Sequence, residues 1–125
     1  MMTCGDDKRY RKWSTSTWTQ TYQSGDLSQV LWKCTYASEG SYAIGLDPGQ
    51  VRIYNSANSL QSTYSPSASG KPYGVDFKYG TLDFIMGSDN SKAYTSASSS
   101  PILSGGGIFH EAKYARTTEY FMYAG

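Results

Sequence analysis

The stretch PYGVDFKYGTLDFIM, from Pro72 to Met86, decides the fold class of this chain. Apolar side chains recur at every second position on either side of Gly80. They are Tyr73, Val75, Phe77 and Tyr79 before the glycine, and Leu82, Phe84 and Met86 after it. A period of two places alternate side chains on one face of a strand. Two such runs joined at a glycine predict an antiparallel hairpin with one apolar face, and therefore an all-β protein.

The composition of the whole chain agrees with this prediction. The chain has 125 residues, of which 15% are aromatic, and Ser, Thr and Gly are abundant. Tyr and Thr favour pleated strands, whereas Gly and Ser favour turns. No window has the periodicity of an amphipathic helix of useful length. At this length a single domain is expected.

Short alternating runs separated by turn residues predict about nine or ten strands. Besides the hairpin, the runs lie at 13–22, 30–36, 42–46, 51–54, 60–64, 92–95 and 118–124. Strands spaced by about 8–12 residues are typical of a two-sheet antiparallel β-sandwich, and a closed barrel is the alternative. No repeat of fixed period stands out, which argues against a propeller. Residues 1–12 are charged and are predicted to be a flexible lead-in to one domain at 13–125.

Charge and hydropathy argue against two classes of partner. The formal net charge of +1 is too small to favour a nucleic acid. No run approaches the roughly 18 apolar residues of a membrane-spanning helix, and the first thirteen residues lack the apolar centre of a signal peptide. We therefore expect neither nucleic-acid binding nor membrane insertion. The location stays open between the cytoplasm, a virion, export by another route, and a chain whose natural N-terminus was trimmed.

The sequence implies no metal and no other cofactor. Cys4 and Cys34 are too few for a disulfide framework or a zinc site. A bridge between them would require the N-terminal segment to lie beside the strand that contains Cys34. Asp47, Asp89 and Asn90 are oxygen donors, but no loop has the dense acidic spacing of a calcium site.

The order of several short motifs resembles the SPRY domain, a concanavalin-like β-sandwich (a jelly roll). The motifs are Tyr42-Ala43-Ile44-Gly45-Leu46, Gly74-Val75-Asp76, Gly80-Thr81-Leu82-Asp83-Phe84, and Ala93 followed by Pro101-Ile102-Leu103. The resemblance covers roughly residues 30–125. It implies a sandwich that binds protein or peptide partners through loops at one edge, and related sandwiches bind carbohydrates.

Catalytic patterns are weak in this sequence. His110, the single histidine, precedes Glu111 but lacks the context of a nucleophile. Asp76 and Asp83 lie on either side of Gly80 and are the one pair of acids that could face a shared groove, as a glycosidase requires. A solvated surface explains both better, so we expect no enzyme.

The aromatic residues give the strongest functional signal. Tyr and Trp present rigid apolar faces with a polar tip, which recognition surfaces favour. Rings also stack on sugars while Asn and Ser side chains bond the hydroxyls. By outward phase or loop position, the predicted ligand-binding residues are Trp18, Tyr22, Tyr54, Asn55, Tyr64 and Asn90.

The sequence thus predicts a non-enzymatic module that recognises a glycan or a protein surface, such as a virion or tail-fibre receptor-binding domain. A structural subunit of a viral or other multimeric assembly is the first alternative, and in that case a homo-oligomer would bury the aromatic residues. A small glycosidase-like enzyme is the second alternative.

Overall fold

The computed structural model describes residues 1–66, 70–115 and the backbone of 121–124. All regular structure in this part of the chain is strand, so the all-β prediction is confirmed, and no helix there could cross a membrane. The described residues contain thirteen strands, more than the nine or ten predicted. They are β1 Met2–Cys4, β2 Tyr10–Trp13, β3 Gln20–Gln23, β4 Leu31–Tyr36, β5 Tyr42–Leu46, β6 Gln50–Tyr54, β7 Leu60–Tyr64, β8 Pro72–Phe77, β9 Phe84–Ser88, β10 Lys92–Thr95, β11 Leu103–Ser104, β12 Glu111–Tyr114 and β13 Phe121–Ala124.

The hairpin predicted at 72–86 forms as β8 and β9. The two strands pair antiparallel, with Val75 opposite Met86 and Phe77 opposite Phe84. Lys78 donates its backbone N–H to the carbonyl of Asp83 at 2.8 Å and so closes the turn. Gly80 has φ +76° in that turn, a conformation that favours glycine. Leu82, the first residue of the apolar run predicted after Gly80, lies in the turn before β9 and is 42% exposed.

The strands form four antiparallel sheets in the described part of the chain, each built from strands consecutive in sequence. The first sheet is β1–β3 and the second is β4–β7. The third runs β8–β11 and the fourth pairs β12 with β13. Every sheet is therefore a meander, in which each strand lies next to the one that follows it in the chain.

The middle strands are buried on both faces, which a two-sheet sandwich does not allow. All five residues of β5 are buried, and so are all five of β9. Tyr42 and Ile44 belong to a core shared with the first sheet, whereas Ala43 belongs to a core shared with the third sheet. In a sandwich one face of each sheet meets solvent. The predicted two-sheet sandwich is therefore wrong, because the second sheet is covered on both sides.

The first strands of successive sheets lie side by side. β4 contacts β8, β8 contacts β12, and β1 contacts β4. β4 and β8 run in the same direction, since Trp32 meets Tyr73 at one end and Ser38 meets Gly80 at the other. Meander sheets packed face to face, with their first strands innermost, are the arrangement of blades in a β-propeller. The argument against a propeller from the sequence is thus wrong.

The missed repeat has a period of 42 residues. Each residue of β9 stands 42 positions after its counterpart in β5, as Gly87 does after Gly45. The turn that follows keeps the same offset, because Gly49 and Ser91 both have positive φ, at 100° and 63°. A four-stranded blade spans about 40–45 residues. The second and third sheets are therefore two copies of one structural unit.

Residues 2–4 and 10–12, placed by the sequence in a flexible lead-in, instead belong to β1 and β2. Tyr10 anchors this segment, being only 1% exposed within the core shared by the first two sheets. Its backbone N–H also bonds the Ser24 hydroxyl at 3.0 Å. The charged residues around Tyr10 concealed a strand with a single buried side chain.

Candidate functional site

A cleft of about 480 Å³ opens at the carboxyl ends of the inner strands β4, β8 and β12. We call it the carboxyl-end cleft. Its lining residues are Tyr36, Ala37 and Ser38 at the end of β4, Asp76, Phe77, Lys78 and Tyr79 at the end of β8, and Lys113 and Tyr114 on β12. Its volume lies within the range of about 300–1,000 Å³ that is typical of ligand pockets.

Hydrogen bonds fix the three segments that line the cleft to one another. Gly80 donates its backbone N–H to the Ser38 hydroxyl at 3.2 Å, which joins the turn after β8 to the turn after β4. The backbone N–H of Tyr114 donates to a carboxylate oxygen of Asp76 at 2.9 Å, which joins β12 to β8. The cleft is therefore held in shape by bonds between successive sheets.

Three tyrosine rings give the carboxyl-end cleft its surface. Tyr79 is 70% exposed and Tyr36 is 42% exposed, while Tyr114 is half-buried. Burial raises the pKa of Tyr36, and it raises the pKa of Tyr114 together with the nearby Asp83 carboxylate. Both hydroxyls therefore stay protonated at neutral pH and can donate hydrogen bonds.

The charged groups at the cleft favour a binding role over a catalytic one. Lys78 and Lys113 contribute ammonium groups to its lining. Asp76, one of the two acids proposed for a glycosidase, accepts the Tyr114 N–H, and Asp83 lies in the exposed turn rather than on the facing strand. Glu111 pairs with Lys33 at 3.1 Å and with Lys113 at 3.6 Å. The arrangement offers flat apolar rings with hydrogen-bond donors and cations at their edges.

Four of the six predicted ligand-binding residues lie in separate turns and strands. Trp18 is 68% exposed in the β2–β3 turn, with φ at 56°. Asn55 accepts the Ser59 N–H at 2.9 Å in the β6–β7 turn, and Asn90 accepts the Ser88 hydroxyl in the β9–β10 turn. Tyr64 donates its hydroxyl to the Ser98 carbonyl and packs edge-on against Phe84.

The other two, Tyr22 and Tyr54, belong to an inter-sheet tyrosine cluster formed by Tyr10, Tyr22, Tyr42 and Tyr54. The ring of Tyr10 lies 5.8 Å from Tyr22 and 5.6 Å from Tyr54, measured between centroids. Tyr54 stacks on Tyr42 at 5.3 Å and is 7% exposed. Its expected outward orientation is therefore wrong, because the first sheet covers that face of β6. Ligand binding by the six residues stays a prediction.

The ammonium group of Lys12 lies against one side of the tyrosine cluster. Its Nζ lies 3.9 Å from the centroid of the Tyr42 ring and donates to the Asn58 side-chain oxygen at 2.6 Å. The Tyr42 hydroxyl donates to the same oxygen at 3.0 Å. Burial lowers the pKa of Lys12. A cation above a ring contributes about 0.5–2 kcal/mol, depending on its desolvation.

The cluster predicts a loss of stability in alkali. Burial raises the pKa of Tyr42 to about 12 from an ordinary value of 10.0. Between those two pH values the folded chain holds a proton that the unfolded chain has lost, so the free energy of unfolding falls as pH rises. One such group contributes a slope of up to about 1.4 kcal/mol per pH unit. Urea unfolding from pH 10 to about 12 should show this fall, and Tyr42→Phe should make it shallower. An unaltered slope in Tyr42→Phe would contradict the assignment.

His110 takes part in an aromatic contact at the opposite ends of the inner strands. Its ring stacks on Tyr73 at 5.6 Å, with 4° between the planes, and Tyr73 meets Trp32 edge-on. Glu111, considered as its catalytic partner, is engaged by Lys33. Among the described residues, no three His, Cys, Asp or Glu side chains converge to hold a metal ion.

The cleft residues were missed because they are adjacent only in the folded chain. Tyr36, Tyr79 and Tyr114 each end or follow an inner strand, in three different sheets. Recognition of the 42-residue repeat would have placed these strand ends at one face. The sequence signal was thus the repeat rather than any local motif.

Comparisons with known proteins identify the fold. No family model matches the sequence, and neither does any curated protein. Solved structures similar to this chain include a structure of U3-55K and a crystal structure of the RRP9 WD40 repeats, each with a TM-score of 0.73 and 16% identity. The match covers 90% of this chain in both, but 38% of the first and 37% of the second. This chain thus has the fold of WD40 propeller blades and spans less than two fifths of those chains. The SPRY resemblance gains no support.

Proposed function

We propose that this chain is a non-enzymatic protein-interaction module that binds a segment of a protein partner in the carboxyl-end cleft. The observation that carries the proposal is the convergence of Tyr36, Tyr79 and Tyr114 from three sheets on one cleft. Tyrosine is enriched at protein interfaces, since it offers a large rigid contact area and a polar tip.

The support beneath the cleft favours this role. Binding residues occur most often on loops held by a rigid scaffold. Here the turns after β4 and β8 are tied by the Gly80–Ser38 bond, and Ala37 after β4 belongs to the same buried core as Val75 and Phe77 of β8. Because the backbone of these turns is fixed before binding, little backbone freedom is lost when a partner docks.

A protein segment fits the cleft better than the other hypotheses do. Phe77 and the three rings supply apolar contact, while Lys78 and Lys113 can bond backbone carbonyls or acidic side chains of a partner. The six residues predicted to bind a glycan or a protein surface lie in different sheets and turns, and neither glycan recognition nor a virion role gains support from the similar structures. The structural-subunit alternative likewise finds no support there.

A binding measurement with ring-deletion variants tests the proposal. Peptides selected from a random display library on the immobilised chain should lose affinity for Tyr79→Ala and for Tyr36→Ala. A buried aromatic anchor contributes about 2 kcal/mol or more, which is roughly thirtyfold in Kd. Titration calorimetry would give the Kd values.

Trp18→Ala is the matched control, because it deletes an aromatic ring that is exposed to a similar degree, 68% against 70% for Tyr79. Its Kd should equal that of the original chain. Loss of affinity in Trp18→Ala with no change in Tyr79→Ala would move the site to the β2–β3 turn and overturn the proposal. A glycan array run in parallel would reveal a sugar ligand.

A further inference from the structure

Cys4 and Cys34 meet where β1 of the first sheet lies against β4 of the second. The Cys34 S–H donates to the Met2 carbonyl at 3.6 Å, and the Leu31 N–H donates to the Gly5 carbonyl at 3.4 Å. These contacts hold both ends of β1 beside β4. The N-terminal segment thus occupies the position that a bridge to Cys34 requires.

The two thiols face the same surface between the sheets. Both side chains pack against the core shared by the first two sheets, and the Cys34 sulfur lies 3.6 Å from the carbonyl oxygen of Met2, which lies two residues before Cys4 in β1. Each residue is partly exposed, so small oxidants can reach the pair. Because a disulfide forms only between sulfurs that can approach closely, this placement is the geometric condition for one.

The surroundings of the two sulfurs differ. The neighbouring Cys4 side chain lowers the pKa of Cys34, against its burial, and the charge of Lys33 lowers it further. The neighbouring Cys34 side chain and burial raise the pKa of Cys4. Because a thiolate is the nucleophile in thiol oxidation, this direction favours Cys34 as the attacking sulfur and Cys4 as the resolving one.

We propose that Cys4 and Cys34 form a reversible disulfide that joins the first sheet to the second under peroxide. The Cys34 thiolate attacks one oxygen of hydrogen peroxide, the O–O bond breaks, and a sulfenic acid and hydroxide form. The Cys4 sulfur then attacks the Cys34 sulfur, the S–O bond breaks, and the Cys4 proton leaves with the departing hydroxide as water. The hydroxide from the first step takes up the proton that the Cys34 thiol released and becomes the other water. Two thiols lose two electrons and two protons, and peroxide is reduced to two waters. A low-molecular-weight thiol returns both cysteines to the reduced state by disulfide exchange.

The disulfide would make it harder for the first sheet to separate from the second. It closes a loop of about thirty residues that contains all of β2 and β3. Cross-linking a loop of that size lowers the unfolding equilibrium constant on the order of several hundredfold, by the chain-entropy estimate. Oxidation therefore favours the state in which the first sheet stays docked on the second.

Mass spectrometry of the peroxide-treated chain tests the proposal. The intact chain should lose the mass of two hydrogens without dimerising, a digest should contain one peptide pair linked through Cys4 and Cys34, and a reductant should reverse both. The oxidised chain should also unfold at higher urea. Over-oxidation to sulfinic acid, dimers linked between chains, or two unreacted thiols would each overturn the proposal.

Single-cysteine variants separate the roles of the two sulfurs. Cys4→Ser leaves Cys34 without its resolving thiol, so a dimedone adduct of the sulfenic acid should accumulate there. Cys34→Ser should give little or no adduct at Cys4. Equal adduct yields in the two variants would contradict the assignment of Cys34 as the attacking residue.

Discussion

Replacing Tyr42 by alanine should lower the free energy of unfolding by about 3–5 kcal/mol, the cost of deleting a fully buried aromatic side chain. Tyr42 is 0% exposed and stacks on Tyr54 in the tyrosine cluster. Its hydroxyl also bonds the Tyr10 hydroxyl at 2.9 Å. The substitution would empty the space between the first two sheets and leave Lys12 without the ring beneath it. Urea unfolding followed by fluorescence measures the loss.

Two comparisons show whether the loss comes from packing between sheets. Tyr42→Phe keeps the ring and removes the hydroxyl, so it should cost about 1–2 kcal/mol. Tyr79→Ala makes the same deletion at a ring that is 70% exposed, and should change stability by no more than about 0.5 kcal/mol. If Tyr42→Ala cost as little as Tyr79→Ala, the first sheet would not be packed on the second.

Replacing Gly74 by alanine should separate the third sheet from the fourth. A β-carbon at Gly74 would lie 2.3 Å from the Ala112 backbone nitrogen and 2.7 Å from the Glu111 carbonyl carbon. Because both contacts are with backbone, β12 must move away from β8. We expect a loss of about 3 kcal/mol in unfolding free energy, at the upper end of the usual range for overpacking. Urea unfolding measures it, and peptide binding should weaken as well, since Tyr114 is on β12.

Gly106→Ala is the control for this change. No atom lies within 4 Å of a β-carbon built at Gly106, and its φ is not positive. The variant should keep both stability and peptide binding. A Gly74→Ala chain as stable as Gly106→Ala would mean that β8 and β12 do not lie as closely together as described.

Local patterning predicted strands well and their assembly poorly. The hairpin at 72–86 and the strand at 92–95 follow from alternation and turn residues, and both are present. β12 was missed because Ala112 is its one fully buried residue. A strand reveals its own faces through its sequence, but what covers each face depends on residues far along the chain. This is why the sequence of β5 predicts a strand of a sandwich, although Ala43 lies in one core and Ile44 in another.

The repeat was hidden because its shared features are few. Gly45 and Gly87, and Asp47 and Asp89, keep the 42-residue offset, but Pro48-Gly49 in one turn corresponds to Asn90-Ser91 in the other. Different residue types satisfy the same turn geometry. The chain also contains no Trp-Asp dipeptide, the sequence mark of these blades.

The candidate site was unpredictable from single positions. Trp18 was identified correctly as exposed, whereas Tyr54 was buried by the neighbouring sheet. Tyr36 and Tyr79 are ordinary strand-end tyrosines in sequence, and they become one surface only because β4 and β8 run side by side in the same direction.

Backbone amide chemical shifts of the labelled chain, recorded as a selected peptide is added, test the central claim most directly. If the carboxyl-end cleft is the binding surface, the perturbed amides will include Tyr36, Ser38, Tyr79 and Tyr114, from three successive sheets. Perturbations confined to the turns of Trp18, Asn55 and Asn90, with the cleft amides unmoved, would contradict it.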